Sequence, residues 1–460
     1  MILGVGSRID PGRVAGERWF ASKDSSVAAL TVEERFTLGG AGLAIMRADL
    51  TGRRAVRYTL PVGEDASMWL GLAELARLGG SVRGDAGGLL LGTPPARLAG
   101  ALPSRAAATG AATTRASTVR PLGVDQSHTS MVVAEASVLK LYRRLEPGPS
   151  PEVELAMALA EAPIPAFEGA IRYVPAAATD GGAGVARRPT DLAVVQRYVP
   201  GAVDEFERLA DGLAAWLRVG AAAGGDSALL EVVSPAARTT AALHGALLGL
   251  RGPLGARAAR PADISRWSAR AARALAAAIR AMSPIDQALA ADLRASRDAI
   301  EAALAPIGHV LSGTPVARVH GDLHLGQLIR DGSRFLVVDF EGEPTRSLAA
   351  RRRPDTPLRD VASMLRSFDH IARSATRRSG TTDHHAALEH WLETARRTFL
   401  GAYGEELAKR GTAIELEPRL LHALEVEKEL YEFVYAATYL PAWRYAPAAG
   451  LRQLLARGPG

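Results

Sequence analysis

The stretch that decides the fold is His320 to Glu343, HGDLHLGQLIRDGSRFLVVDFEGE. Its apolar run FLVVD, at 335–339, predicts a short buried strand. That strand delivers Asp339 and, just beyond it, Glu341. The preceding loop carries three further polar side chains, Asp322, His324 and Gln327. We therefore expect carboxylates and an amide to gather at one end of a strand.

This pattern supplies both kinds of group that phosphoryl transfer needs. One is a carboxylate that accepts the proton of the acceptor hydroxyl, and the other is a set of oxygen ligands that hold Mg²⁺ against the phosphates. Asp322 is followed five residues later by Gln327, the offset of the Asp and Asn in the protein-kinase catalytic loop. Asp339 lies where the metal-binding Asp of Asp-Phe-Gly would lie. The alternative is a capping turn followed by a buried strand with exposed carboxylates, which four polar residues in this order make less favourable.

A second feature is a lysine in an apolar strand. The chain has 55 basic residues, of which four are lysines: Lys23, Lys140, Lys409 and Lys428. Lys140 follows a β-branched run, and Glu152 and Glu154 open the helical pattern after it, as in the strand-lysine and helix-glutamate pair of kinases. The loop before it, with Ser127 and Thr129, offers hydroxyls and backbone donors to phosphates. The alternative is that Lys140 is a solvated surface residue.

Composition bounds the class of protein. With 460 residues, 48% hydrophobic and 23% charged, the chain is predicted to be soluble and to fold into two or three packed units. The absence of cysteine excludes disulfides and thiolate metal sites. The net charge is +6, but the basic residues are scattered, so we expect no nucleic-acid partner. Without a long apolar stretch or a signal peptide, we expect no membrane association, a cytoplasmic location, and a monomer or weak oligomer.

The order of patterns along the chain predicts an α+β, two-lobed fold. Residues 1–100 alternate short apolar runs with Gly and charged turns, which favours strands. Residues 102–120 have no periodicity and read as a linker. The pair of runs at 129–142 predicts a hairpin, and Pro200-Gly201 a hinge. Beyond it, segments with apolar residues at three and four spacing predict helices at 203–221, 234–249, 263–281, 284–304, 384–403 and 418–440.

These segments resemble one family in particular, the actinobacterial maltokinases and the closely related glucosamine kinases, which are aminoglycoside phosphotransferase-like. The resemblance is carried by HGDLHLGQ, by VVDFEGEPTRSLAARRRPDTPLRDVASMLRSFDH, and by RWFASK, QSHTS, LKLYRRLEPGPSPEVEL and QRYVPGAVD. The stretch Pro344 to Asp360 is the most specific, because generic kinases have no counterpart of it. The match covers most of the chain.

The resemblance implies a protein-kinase-like fold with an N-terminal cap subdomain (1–100), an N-terminal lobe (101–200) and a helical C-terminal lobe (201–460). ATP and Mg²⁺ would bind between the lobes. By position, Asp322 would be the catalytic base, and Gln327 and Asp339 the Mg²⁺ ligands with Glu341 close by. The ATP-binding set would be Lys140 with Glu154 as its partner, Ser127, Thr129, and the backbone of Gln196, Tyr198 and Val199.

The acceptor in this family is read partly by C-terminal helices, here EVEKELYEFVYAATYLPAWRYAP at 425–447. Maltokinases show a segment resembling DKALYEVVYEARNRPDW, and this chain departs from it at Glu429 and in LPAW. The spacing places Glu425, Glu429 and Glu432 on one helical face, where carboxylates would bind an ammonium such as the 2-amino group of glucosamine. Trp443 would stack on the sugar ring. Asp322 and His324 complete the expected substrate-binding set.

The favoured prediction is ATP-dependent phosphorylation of D-glucosamine to glucosamine 6-phosphate. In a maltokinase, which would make maltose 1-phosphate, Glu425, Glu429 and Lys428 would instead be a charged helix surface and Trp443 a packing residue. An aminoglycoside phosphotransferase shares the Asp loop, but the cap and the 344–360 stretch count against it. A non-catalytic kinase-like binding module usually loses the base, the metal carboxylate or the lysine, and all three are present here.

Overall fold

The computed structural model describes residues 14, 17, 20, 26–52, 54–63, 65–95, 118–123, 128–176, 188–221, 225–310, 313–381 and 383–458. Two compact units are present, one comprising Met1–Ala160 and Pro165–Pro200 and the other Glu161–Ile164 and Gly201–Gly460. The expected linker at 102–120 lies outside the described residues apart from its last three, as does the RWFASK motif apart from Phe20.

The first unit is built mainly from strands. They are β1 (Val27–Leu38), β2 (Ala41–Leu50), β3 (Val56–Val62), β4 (Gly80–Arg83), β5 (Leu89–Thr93), β6 (Val119–Pro121), β7 (His128–Val133), β8 (Ser137–Tyr142), β9 (Arg144–Leu145), β10 (Phe167–Val174) and β11 (Thr190–Arg197), with helices α1 (Ser67–Leu78) and α2 (Pro151–Ala158). They form a four-stranded sheet in the order β1-β2-β3-β9 and a seven-stranded sheet in the order β4-β5-β10-β11-β8-β7-β6.

Strand β2 is buried on both faces, which explains its nearly continuous apolar sequence. Alternate side chains point to opposite faces of a strand. Leu43 and Ile45 accordingly join a core with α1, whereas Met46 and Ala48 join a second core with Phe20. The four-stranded sheet is thus sandwiched between two apolar layers.

The predicted hairpin at 129–142 is confirmed as β7 paired antiparallel with β8. Strand β8 lies between β11 and β7, so Lys140 projects from an interior strand of the larger sheet, opposite Val194 and Ser130. Strands β4 and β5, which precede residue 100, belong to this same sheet. The division of the first unit into a cap and a lobe at residue 100 stays a prediction.

The second unit is mainly helical, as predicted. Its elements are α3 (Glu205–Arg218), α4 (Ser227–Leu230), α5 (Val233–Gly249), α6 (Pro261–Met282), α7 (Gln287–Ala295), α8 (Arg297–Leu304), α9 (Leu348–Arg351), α10 (Leu358–Ser379), α11 (His385–Lys409), α12 (Pro418–Tyr439) and α13 (Tyr445–Arg457), with the short strands β12 (Arg257–Ala258), β13 (Pro315–Val316), β14 (Leu328–Asp331) and β15 (Arg334–Val337). The segment predicted as one helix at 284–304 is two, broken at Ser296.

Helix α10 is the centre of the second unit. Seventeen of its 22 residues are buried, and it packs against α3, α12 and α13. Several of the buried residues are charged, including Asp360 and Arg366. A helix that is buried on all sides usually has apolar residues on all faces. Because α10 carries charged residues at buried positions, its sequence does not show that it is buried. None of the described helices is both long enough and apolar enough to cross a lipid bilayer.

Candidate active site

The loop that precedes Asp322 is held by a carboxylate from α10. Asp360 accepts hydrogen bonds from the backbone amides of His320 (2.8 Å) and Gly321 (2.9 Å). Its Oδ2 also lies 3.2 Å from Nε2 of His244, whose Nδ1 lies 2.7 Å from the hydroxyl of Tyr403. Because the carboxylate must accept, His244 donates from Nε2 and accepts from the tyrosine hydroxyl. Burial alone would raise the pKa of Asp360, but the contacts with His244, His320 and the Gly321 amide together outweigh burial, and the pKa lies below its usual value.

His320 fixes the loop relative to the strand that follows it. Its Nδ1 accepts the backbone amide of Asp322 (3.3 Å), so Nε2 carries the proton and donates to the carbonyl of Val338 (2.9 Å). At the other end of the loop, the amide of Leu325 donates to the hydroxyl of Ser367 (2.9 Å). The backbone on both sides of Asp322 is therefore tied down.

The expected metal ligands flank hairpin β14–β15, with Gln327 just before it and Asp339 and Glu341 just after it. The Gln327 amide nitrogen donates to Oδ2 of Asp339 (3.2 Å), and the carboxylate oxygens of Asp339 and Glu341 lie within 4.8 Å of each other. Asp339 has a φ of 66°, a left-handed conformation that non-glycine residues seldom adopt and that concentrates at functional sites. Two carboxylates and an amide oxygen match the hard oxygen ligands that Mg²⁺ prefers.

Asp322 itself is paired with a lysine from α12. Lys428 Nζ lies 2.8 Å from Asp322 Oδ1, 2.9 Å from Glu432 Oε1 and 3.4 Å from Glu343 Oε1. Glu343 is also paired with Arg346. Burial raises the pKa of Asp322. Lys428, followed by His324, opposes burial, and the net shift of the pKa is downward. Asp322 is thus held as a carboxylate, the form that a general base requires.

His324, expected at the acceptor, lies next to the expected base Asp322 and the expected metal ligand Gln327. Its Nε2 lies 3.3 Å from the amide nitrogen of Gln327. Burial lowers the pKa of His324 below its ordinary value, although Asp322 opposes the shift. The imidazole is therefore neutral at pH 7.

Two of the three glutamates predicted to bind an ammonium are paired with cationic side chains of the protein. Glu425 receives a two-pronged bond from Arg396, 2.7 Å to each carboxylate oxygen, and Glu429 lies 2.5 Å from Arg366 and 3.1 Å from His370. Burial raises the pKa of Glu425, but Arg396, Arg366 and Arg457 together lower it to about 2. Because buried cations of the protein pair with both carboxylates, this geometry does not favour Glu425 and Glu429 as substrate ligands, and that assignment stays a prediction. The alternative of a charged helix surface is wrong, since both glutamates and Lys428 are buried.

Glu432 and Trp443 remain available for an acceptor. Glu432 shares Lys428 with Asp322, which places it beside the expected base. The Trp443 ring lies in the 3₁₀ turn Pro441–Arg444, is half-buried, and packs 5.8 Å from His370 and 5.5 Å from Tyr445. Roles of Glu432 and Trp443 in binding the acceptor stay predictions.

In the first unit, Lys140 forms an ion pair with a glutamate of α2. Lys140 Nζ lies 3.0 Å from Oε2 of Glu152, which also accepts from the Tyr142 hydroxyl (2.9 Å). Glu152 is buried, 1% exposed, in the first turn of α2. Glu152 is therefore a buried partner of Lys140, and the pairing of Lys140 with Glu154 stays a prediction.

The remaining nucleotide residues lie in or beside the larger sheet. Thr129 is in β7 and Gln196 in β11, while Val199 is buried beyond the end of β11. The backbone amide of Tyr198 donates to the carbonyl of Ala136 (2.8 Å). Ser127 lies outside the described residues. Contacts of this set with a nucleotide stay predictions.

Sequence reasoning missed the residues that support the site. Asp360 stands within a motif quoted for its resemblance, yet nothing in the motif shows that it holds the loop. Arg366 and Arg396 are two arginines among many. Lys428 alone carried a signal, because the chain so rarely uses lysine.

Comparison with known proteins adds an independent line of argument. No protein-family model matches the chain. A glucosamine kinase from Mycolicibacterium smegmatis is 34% identical over 341 residues, which cover 74% of this chain and 80% of that protein. A glucosamine kinase from Streptacidiphilus jiangxiensis is 32% identical over 352 residues, 73% of each chain.

Solved structures agree with the sequence comparison. A glucosamine kinase in complex with glucosamine, ADP and inorganic phosphate superposes with a TM-score of 0.70 at 27% identity, covering 93% of this chain and 95% of that one. A second crystal form of glucosamine kinase gives a TM-score of 0.69 at 26% identity, covering 97% and 98%. The predicted fold is confirmed, and the chain belongs to the glucosamine kinase family.

Proposed function

We propose that this chain transfers the γ-phosphoryl group of ATP to the 6-hydroxyl of D-glucosamine, giving glucosamine 6-phosphate and ADP. The observation that carries the proposal is the shared position of Asp322 and Glu432, which contact the same lysine nitrogen. The Asp322 carboxylate suits the acceptor hydroxyl, and the Glu432 carboxylate suits an ammonium. The relatives named above are glucosamine kinases, and one of them was solved with glucosamine bound.

Asp322 is the base of the proposed reaction. The acceptor oxygen attacks the γ-phosphorus, its proton passes to the Asp322 carboxylate, and the bond from the γ-phosphorus to the bridging oxygen of ADP breaks. The loop amides bound by Asp360 keep this carboxylate in place. Held geometry of this kind accounts for much of the catalysis of phosphoryl transfer, since there is little covalent work for the protein.

Asp339, Gln327 and Glu341 are the residues that would hold Mg²⁺. When bound, the ion supplies positive charge that neutralises the phosphates. In the first unit, Lys140 is the proposed contact to the phosphates, oriented by Glu152 through their 3.0 Å ion pair. The hydroxyls of Ser127 and Thr129 would bind phosphate, and the backbone of 196–199 the adenine.

Charge favours a cationic acceptor. Asp322 and Glu432 share a single ammonium, that of Lys428, while Arg346 is paired with Glu343. One negative charge of the Asp322 and Glu432 pair is therefore unbalanced, and the ammonium of glucosamine would balance it. Trp443 offers an apolar ring to the sugar face. Maltose, which is neutral, leaves that charge unbalanced.

Correlated ¹H–³¹P NMR of the product tests both the acceptor and the position. The protein is incubated with ATP, Mg²⁺ and glucosamine, with Asp322→Asn as the inactive control. A phosphomonoester whose phosphorus couples to the two protons on carbon 6 supports the proposal. Coupling to the anomeric proton would reject the 6-position, and the absence of any glucosamine phosphomonoester would reject glucosamine.

A further inference from the structure

Lys428 lies at the centre of three carboxylates in the second unit. Its nitrogen contacts Asp322, Glu432 and Glu343 at 2.8, 2.9 and 3.4 Å, and its side chain is 10% exposed. The ring of Tyr431 lies 4.6 Å from the same nitrogen. The phosphotransfer described above uses this lysine only as the ion-pair partner that Asp322 and Glu432 share.

We propose that Lys428 is a positioning residue for phosphoryl transfer, whose ammonium holds Oδ1 of Asp322 and so presents Oδ2 to the acceptor hydroxyl. The inference rests on the proposed function, because it takes Asp322 to be the base. It goes beyond that function by explaining how a carboxylate on a loop is given one orientation.

A carboxylate needs such a constraint. The terminal torsion of aspartate has a broad, roughly two-fold preference, so the carboxylate plane is poorly fixed by the chain itself. At Asp322 the backbone amide is bound to His320 Nδ1, which fixes the main chain. Lys428 fixes one carboxylate oxygen. These two contacts together leave Oδ2 as the acceptor for an incoming proton.

The charged and titratable groups that face Asp322 come from three parts of the second unit. Those on its own loop are His320 and His324, those on α12 are Lys428, Tyr431, Glu432 and Tyr435, and beyond the loop lie Glu343 and its partner Arg346. Lys428 is the first of the groups that oppose the effect of burial on the pKa of Asp322. Without it, burial and the neighbouring glutamates would favour the protonated acid, which is not a base.

The geometry also explains why lysine stands here in a chain that otherwise prefers arginine. An ammonium donates three hydrogen bonds from one nitrogen atom, whereas a guanidinium spreads its donors over three nitrogen atoms in one plane. Glu425 illustrates the second case, with its two-pronged bond from Arg396. Three carboxylates around a single point select the ammonium. Arginine at 428 would keep the charge but not this geometry.

The test compares Lys428→Met, Lys428→Arg and the control Lys409→Met, which removes an exposed lysine at the end of α11. Thermal unfolding and ATP binding confirm that each variant folds. The readouts are kcat and KM for glucosamine across pH, and the titration midpoint of the Asp322 carboxyl by ¹³C NMR, with the signal assigned by its loss in Asp322→Asn.

We expect Lys428→Met to lower kcat by about 100-fold, to leave KM for ATP near that of the wild type, and to move both the acid limb of kcat and the Asp322 midpoint to higher pH. Lys428→Arg should restore the acid limb and part of kcat, and Lys409→Met should match the wild type. A loss of kcat with an unmoved acid limb and midpoint would overturn the proposal, because a purely structural lysine gives that result.

Two safeguards separate this inference from the proposed function. If the wild type does not phosphorylate glucosamine, the proposed function fails, and the NMR midpoint alone then decides whether Lys428 holds Asp322 as the anion. If Lys428→Met does not fold, the wild-type midpoint decides. A midpoint above that of an ordinary aspartate, about 3.9, overturns the proposal, and a lower one supports it.

Discussion

Arg366 Nε lies 2.5 Å from Oε1 of Glu429 in the interior of the second unit, and neither side chain is more than 1% exposed. The same guanidinium contacts Asp369 at 2.6 Å and Glu425 at 3.3 Å. Removing one partner of a buried ion pair leaves an uncompensated charge and destabilises by about 3–5 kcal/mol. This pair therefore separates the glutamates of α12 that pair with buried arginines, Glu425 and Glu429, from Glu432, for which we propose a role at the acceptor.

Glu429→Gln should lower the free energy of unfolding by about 3 kcal/mol and leave the preference for glucosamine over glucose unchanged. Glu432→Gln should instead reduce the preference for glucosamine over glucose by about 10-fold, with a smaller effect on the free energy of unfolding. Denaturant unfolding and kcat/KM for both sugars measure the two effects. A change of preference in Glu429→Gln at unchanged stability would instead support Glu429 as an amine ligand.

Gly450→Ala should destabilise the protein by about 1–3 kcal/mol. A Cβ at this position of α13 would overlap the Glu429 carboxylate, the Arg366 guanidinium and the Asp369 carboxylate. Gly401→Ala in α11 is the matched control, because no described heavy atom lies within 4 Å of its Cβ position. That substitution should be neutral or stabilise by up to about 1 kcal/mol. Equal unfolding free energies for the two variants would argue against close packing of α13 on the buried ion pairs.

Asp322→Ala should reduce turnover by at least about 10²-fold while ATP binding, measured by calorimetry without acceptor, stays near that of the wild type. The reason is that Asp322 acts on the acceptor hydroxyl. Asp339→Ala should instead weaken the binding of ATP in the presence of Mg²⁺, since it removes a proposed metal ligand. Loss of ATP binding in folded Asp322→Ala, or unchanged turnover in Asp339→Ala, would contradict these roles.

His370 should make stability depend on pH. Burial lowers the pKa of His370, but Glu429, 3.1 Å away, raises it more, so the folded-state pKa lies above the ordinary value. A raised pKa means that the folded protein binds the proton more tightly than the unfolded chain. The stabilisation is fully present below the unfolded pKa of about 6.5 and is lost as pH rises through the folded pKa.

The measurement is the difference in unfolding free energy between the wild type and His370→Gln at several pH values on either side of neutrality. Because other titrating groups largely cancel in this difference, it isolates His370. We expect the difference to shrink as pH rises. A difference that grows with pH would mean that His370 is neutral in the folded protein.

Local patterns were predictable from the sequence, and the partners of buried charges were not. The hairpin β7–β8 and the loop around Asp322 follow from alternation and from the spacing of polar residues within short segments. Helix α10 was not predicted, because its buried faces carry Asp360 and Arg366 in place of apolar residues. Periodicity detects burial only when the buried residues are apolar.

The glutamates of α12 show the same limit in the candidate site. Their spacing correctly places Glu425, Glu429 and Glu432 along one helix, but it does not show what each faces. Arg366 and Arg396 come from α10 and α11, far away in the sequence. The ion pair of Lys140 shows a related limit, since the spacing allowed either Glu152 or Glu154 and the pair with Glu152 becomes visible only in the fold.

The most direct test of the central claim is kcat/KM for ATP-dependent phosphorylation of glucosamine, glucose, N-acetylglucosamine, maltose and kanamycin by the purified protein with Mg²⁺. We predict that glucosamine exceeds glucose and N-acetylglucosamine by at least about 10-fold, because both lack the ammonium that pairs with Glu432. Maltose and kanamycin should be poor acceptors. Efficient turnover of N-acetylglucosamine or of maltose would contradict the account, since neither sugar carries a charge for that carboxylate to bind.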